Sequence, residues 1–265
     1  TLIAYVLTKV SVTAFTGGIF MESLLGLPFW YGAIGLVLLT GVFTVFGGMK
    51  GVMTLSKIQT PILIVGSFMV LFLGLIALGE GSMAQGWTNM IEHAKSMNKG
   101  FGTNDLMHFD KNDPLYDKFP GLWVFLGAAI IGFWYWCTDQ HIVQRVLGQR
   151  KGESSDVVMK RARRGTIAAG YFKLLPVFMF LIPGMIAAAL AARPDSGFTL
   201  DNPDTAFGSM VKFVLPAGVK GIVTIGFISA LIASLAAFFN SCATLFTEDF
   251  YKPNFKGRTE ETYVL

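Results

Sequence analysis

Charge is scarce in this chain. Lys and Arg number 21 and Asp and Glu 17 among 265 residues, a charged share of 14%, where a soluble chain carries about 25%. The shortfall lies in long apolar runs, and mean hydropathy is +0.56. That excludes an ordinary soluble domain and indicates a membrane protein. Cysteine is scarcer still. Cys137 and Cys242 both fall inside apolar runs, which supports neither a disulfide framework nor a zinc knuckle. No nucleophile–base pair, metal cluster or phosphate loop emerges, so an enzyme is not expected. The isoelectric point near 9.0 suggests nucleic acid at first sight. The basic residues concentrate in one short loop, however, and no nucleic-acid partner is inferred. A secretory leader is not expected either, since Lys9 interrupts the first apolar run and no cleavage site follows it. We expect residues 1–265 to be one internal piece of a longer membrane protein.

What is present is a series of apolar segments of the length a bilayer requires, about 20 residues each. Six qualify: 2–26, 31–49, 57–79, 121–146, 166–192 and 217–248. Gly26, Leu27 and Pro28 turn the first into the second, and Gly47-Gly48 followed by Lys50 closes the second. The expected fold is therefore an all-α membrane protein with six transmembrane helices. Orientation follows from charge. Between 145 and 164 stand Arg145, Arg150, Lys151, Lys160, Arg161, Arg163 and Arg164 against Glu153 and Asp156. The loop over 80–120 holds four lysines against six acids. Lys/Arg excess marks cytoplasmic loops, which puts Lys50, 147–165 and the C-terminal end inside, and 27–30, 80–120 and 193–216 outside. Within the long outer loop, Trp87, Met90, Ile91, Ala94 and Met97 recur at helical spacing. A short amphipathic helix on the outer face is predicted there.

The run Trp134-Tyr135-Trp136-Cys137-Thr138-Asp139-Gln140-His141 carries most of the chemistry. An acid at the centre of a spanning helix costs roughly 2.5–3.5 kcal/mol on insertion scales, so such groups face a bundle interior or a wet cavity. Polar groups beside flat aromatic faces suit a small polar solute, and a transporter is the first reading. Gly132 offers a place for the helix to unwind, as the discontinuous helices of transporters do near the midplane. Asp139 is expected to pair with Arg145 or with backbone and hold the inner half-helix. His141 is expected to be structural.

This chain resembles the sodium/solute symporter family, and within it the sodium–sugar cotransporters. The resemblance is carried by Tyr5-Val6-Leu7-Thr8-Lys9, Gly47-Gly48, the 134–140 run continuing through Ile142-Val143-Gln144-Arg145, Gly170 to Pro176, and Asn240 to Asp249. It implies a core of ten helices in two inverted five-helix repeats, of which the segments here resemble core helices three to eight. It implies a sugar or polyol substrate, with Lys9, Tyr135, Trp136 and Lys173 as its contacts and Tyr135 stacking under the ring. For sodium it implies the Ala230 carbonyl and the Ser234 hydroxyl. Two positions depart from the family pattern: Ala233 stands where a second hydroxyl is expected, and Ser56 where an acid is expected.

The expected function is sodium-coupled import of a sugar or polyol by alternating access, in a multi-pass protein of the plasma membrane. Two alternatives stand beside it. One is a sodium-independent or proton-coupled carrier, motivated by Ala233 and Ser56; the other is a sensor that binds sugar without carrying it. Membrane lipid is the remaining expected partner, with no obligate protein partner.

Overall fold

Among the described residues, hydroxyl and amide side chains repeatedly bond to a carbonyl four residues back along the chain. Four of them follow in succession in α1 (Leu2–Leu25): Thr8 to Ala4, Ser11 to Leu7, Thr13 to Lys9 and Thr16 to Val12, at 2.8–3.0 Å. Such back-bonding is how a polar side chain is tolerated where no water reaches it. The computed structural model describes residues 2–97, 109–112, 116–117, 120–147 and 154–255. After α1 come α2 (Phe29–Leu78), α3 (Met83–Met97), α4 (Gly121–Cys137), α5 (Gln140–Leu147), α6 (Ser155–Phe172), α7 (Ile182–Ala191), α8 (Ala206–Val214) and α9 (Ala217–Phe246). Among the described residues no strand forms.

Among the described residues, five helical stretches are long and apolar enough to cross a membrane: Ile3–Leu25, Phe29–Gly48, Lys50–Leu78, Ser155–Ala191 and Ala217–Asn254. A sixth crossing is made if the bent pair Gly121–Cys137 and Gln140–Val146, inclined by 46°, counts as one span. Five of the six expected spans are therefore matched, with shifted borders, and the bent pair falls where the remaining one, 121–146, was expected. The second and third are joined by one residue, not a loop: Gly48 at φ 51 and ψ −159. Only glycine enters that region without steric cost. The fifth begins as helix at Ser155, well before residue 166, because the basic segment continues its turns.

The chain divides into two compact units, 1–66 with 216–265 and 67–215. In the first, α1 packs along α9. Met21, Leu36 and Leu235 form a buried cluster with Val10, Ile228, Leu231 and Ile232 against it. Glycines let these helices approach closely, as small residues do where hydrophobic driving force is weak. A Cβ at Gly66 would meet Val223, and one at Gly226 would meet Ile62. A second cluster joins Val52, Ala233 and Ala236, with Phe43 and Leu55 packed on it.

In the second unit, the end of α2 is tied down from two sides. The Leu78 carbonyl accepts from Asn89 Nδ2 on α3 and from the Arg193 guanidinium just beyond α7, each at 3.0 Å. Both satisfy a carbonyl that a helix terminus leaves without an intrahelical donor. The predicted amphipathic helix is α3: Met90 is buried, Ile91 and Ala94 are half-buried, and Trp87 is exposed. It doubles back through a tight turn over Gly79 to Ser82 and packs on α7.

Gly86 lies so close to α2 that a Cβ there would collide with the Leu75 carbonyl oxygen. Gly86→Ala therefore forces the helices apart and is expected to cost about 1–3 kcal/mol, the usual penalty of overpacking. The measurement is the thermal midpoint of the full-length protein in detergent. Gly165→Ala, where a Cβ meets nothing within 4 Å, serves as the control and is expected to be neutral or slightly stabilising. Equal midpoints for Gly86→Ala and wild type would refute the close approach.

Candidate functional site

The break in the fourth span does not lie at Gly132, which sits inside regular α4. It lies at Thr138 and Asp139, directly after the aromatic run. The reason is local hydrogen bonding. The Thr138 N–H and hydroxyl both donate to the Trp134 carbonyl, at 3.0 and 2.8 Å, and so end α4. The Asp139 carbonyl then accepts from the Ile142 and Val143 amides and starts α5 in a new direction.

The break buries an acid and a histidine together. Asp139 is 2% exposed and His141 9%, and His141 Nδ1 lies 2.7 Å from Asp139 Oδ1. A buried carboxylate without such a partner costs several kcal/mol. The histidine ring is turned towards Tyr135, with centroids 5.9 Å apart and planes at 69°. Sequence reasoning treated His141 as structural but missed its partner. The usable signal was an acid at a helix start with a histidine two positions on.

Tyr135 sits at the centre of this cluster. Trp136 meets it edge to face at 5.5 Å and 88°. The Lys173 ammonium lies over its ring, 5.1 Å from the centroid, within cation–π range. Lys173 reaches that place from the end of α6, where its own N–H still donates to the Ala169 carbonyl. Pro176 and a wide turn from Val177 to Leu181, closed by the Ile182 amide on the Val177 carbonyl, follow it. Wide turns of this kind inside helices are frequent at functional sites. Three of the four expected substrate contacts, Tyr135, Trp136 and Lys173, are thus brought together in one unit. Their chemistry suits a polyhydroxylated ring: a flat face for its C–H side and three ammonium donors for its hydroxyls.

Lys9 belongs to the other unit. Its ammonium stands 4.5 Å from the Tyr5 ring centroid and 5.4 Å from that of Phe238 on α9. The expected sodium positions are in that unit as well. α9 runs unbroken through Ala230, Ala233 and Ser234. Ala230 is half-buried, and Ser234 is exposed. Ala233 is 2% exposed and packs with Val52 and Ala236. The Ser56 hydroxyl donates to the Val52 carbonyl at 2.9 Å, so Ser56 stands one helical turn from the Val52–Ala233 contact. A carbonyl bonded within a helix keeps a second lone pair. Among the described residues no group of three or more His, Cys, Asp or Glu side chains gathers as a metal site. An alkali cation held by carbonyls and hydroxyls needs none.

Residues 1–264 match the sodium:solute symporter family. The sodium/myo-inositol cotransporter 2 of Mus musculus is 32% identical over 264 residues, which is 94% of this chain and 38% of the relative. The human protein of the same name is 32% identical over 266 residues, again 94% of this chain and 38% of the relative. The sodium/glucose cotransporter 1 of Sus scrofa is 31% identical over 283 residues, covering 100% of this chain and 42% of the relative. The chain thus spans about two fifths of the length of these curated relatives.

If the Asp139–His141 contact holds the break, the two residues are energetically coupled. Asp139→Ala and His141→Ala are each expected to lower stability by about 1–3 kcal/mol. The double variant should lose less than their sum, by about 1 kcal/mol. Thermal midpoints of the four full-length proteins in detergent complete the cycle; strict additivity would dismiss the coupling.

Proposed function

Because this chain belongs to the sodium:solute symporter family, we propose that it forms part of a secondary active transporter that imports a sugar or polyol with sodium by alternating access. The observation that carries this reading is the cluster of Lys173, Tyr135 and Trp136 beside a broken membrane span. Aromatic faces, ammonium donors and freed backbone at one place are what a polyhydroxylated ring needs for recognition inside a membrane. Two of the relatives above are named for myo-inositol and one for glucose, and a six-membered polyol of that size is the substrate class we assign. The six spans correspond to core helices three to eight of an inverted-repeat core, and the protein resides in the plasma membrane.

In this mechanism Tyr135 stacks on the ring, Lys173 donates to its hydroxyls and Trp136 shields the site. Sodium is cargo as well as driving force, received by the Ala230 carbonyl and the Ser234 hydroxyl. One sodium crossing about 100 mV yields about 2.3 kcal/mol, and a tenfold gradient adds about 1.4 kcal/mol. Together these sustain solute accumulation of roughly several hundredfold.

A second reading, sodium-independent transport, draws support from Ala233. Its side chain is spent on packing against Val52 and Ala236, where the family pattern expects a hydroxyl. The Ser56 hydroxyl, where an acid is expected, is bonded to backbone.

Uptake of labelled myo-inositol and glucose by the full-length protein in vesicles separates the two readings. Replacing sodium with choline is expected to abolish accumulation; unchanged uptake would refute sodium coupling. Ala233→Ser is expected to lower the sodium concentration needed for half-maximal uptake by several-fold, since a helical serine adds one oxygen ligand without a new loop. Lys173→Met removes charge-assisted hydrogen bonds and should raise the half-saturating substrate concentration by about 10–100-fold. Wild-type behaviour of Lys173→Met and of Tyr135→Ala would exclude this cluster as the sugar site.

A further inference from the structure

The basic face of α6 is the feature that the transport reading leaves unused. The stretch from Ser155 to Ala191 is 37 residues long, of the order of 55 Å along its axis. The hydrocarbon core is about 30 Å thick, so one end must stand in the polar layer. Lys160, Arg161, Arg163 and Arg164 identify which end that is, and all four are exposed.

Their placement around the helix is more telling than their number. Val157, Lys160, Arg164, Ile167 and Tyr171 follow one another at steps of three, four, three and four, which keeps them on one stripe of an α-helix. All five are exposed, Ile167 at 54% and Tyr171 at 75%. The half-buried residues Val158, Ala162 and Ala169 line the opposite side. The stripe therefore turns from apolar to basic along a single exposed face, with Arg164 only about 4.5 Å along the axis from Ile167. An apolar side that abruptly becomes cationic matches one lipid molecule in profile: acyl chain below, phosphate above. Lys160, Arg163 and Arg164 also crowd like charges at i, i+3 and i, i+4, which repel one another. Among the described residues these three form no ion pair.

We propose that this face of α6 is a binding site for an anionic phospholipid. The guanidinium groups of Arg163 and Arg164 and the ammonium of Lys160 hold the headgroup phosphate, and Ile167 and Tyr171 lie along the chain. The inference rests on the membrane setting of the helix and is independent of which solute is carried.

The test uses the full-length protein reconstituted in nanodiscs of phosphatidylcholine with a minority of phosphatidylglycerol, then re-extracted in mild detergent. Co-purified lipids are counted by mass spectrometry. Phosphatidylglycerol is expected to be enriched about tenfold or more over its bulk share, since each basic residue near the surface is worth about fivefold. The triple variant Lys160→Gln, Arg163→Gln, Arg164→Gln should return the ratio to bulk, and Lys160→Arg, Arg163→Lys, Arg164→Lys should keep the enrichment. If the triple Gln protein does not fold, Arg164→Gln alone should lose about fivefold. Equal ratios in wild type and the Gln variants would overturn the proposal. So would selective loss of phosphatidylglycerol to inorganic phosphate relative to sodium chloride of the same ionic strength, which would make this a site for free anions.

Discussion

Polar groups held at membrane depth must find their partners within the protein, because the surrounding hydrocarbon has none to offer. Much of this structure reads as a set of answers to that constraint. Hydroxyls in α1 and α2 bond back to their own helices. The ammonium of Lys9 lies against the rings of Tyr5 and Phe238, and that of Lys173 against Tyr135. The Leu78 carbonyl takes donors from Asn89 and Arg193. Asp139 takes the ring nitrogen of His141. In each case a polar atom that would be costly alone is made tolerable by a neighbour of opposite character, and the neighbour's position becomes fixed in turn.

That logic explains how the site is assembled. Ending α4 needs an acceptor for Thr138 and a start for α5, and Trp134 and Asp139 supply them. Once the chain has turned, the Asp139 side chain is buried and needs a donor, so His141 is drawn in against Tyr135. The tyrosine is then held between a histidine, a tryptophan and a lysine. Its ring orientation is thereby fixed within the protein itself.

Much of this was legible in the residues, and what was missed has physical causes. Long apolar runs located five spans and the bent pair because length and hydropathy are strong signals in a membrane protein. The helix over 83–97 followed from the spacing of Trp87, Met90, Ile91 and Ala94. Residues Tyr135, Trp136 and Lys173 were expected at one site, and they do gather. The break was misplaced at Gly132, since glycine only permits unwinding, whereas the hydrogen bonds of Thr138 and Asp139 impose it. His141 went unpaired in the sequence reading because its partner becomes buried only after the turn. The start of α6 at Ser155 was hidden by charge: basic residues read as loop, although Lys and Arg are good helix formers.

Gly48 carries a mechanical corollary. Two backbone torsions at one residue are the entire linkage between the helix before it and the helix after it, with no slack peptide to absorb a displacement. A swing of either arm must therefore appear as rotation about those two bonds or be passed on whole to its neighbour. The elbow behaves as a pivot of fixed length, able to change angle but never reach.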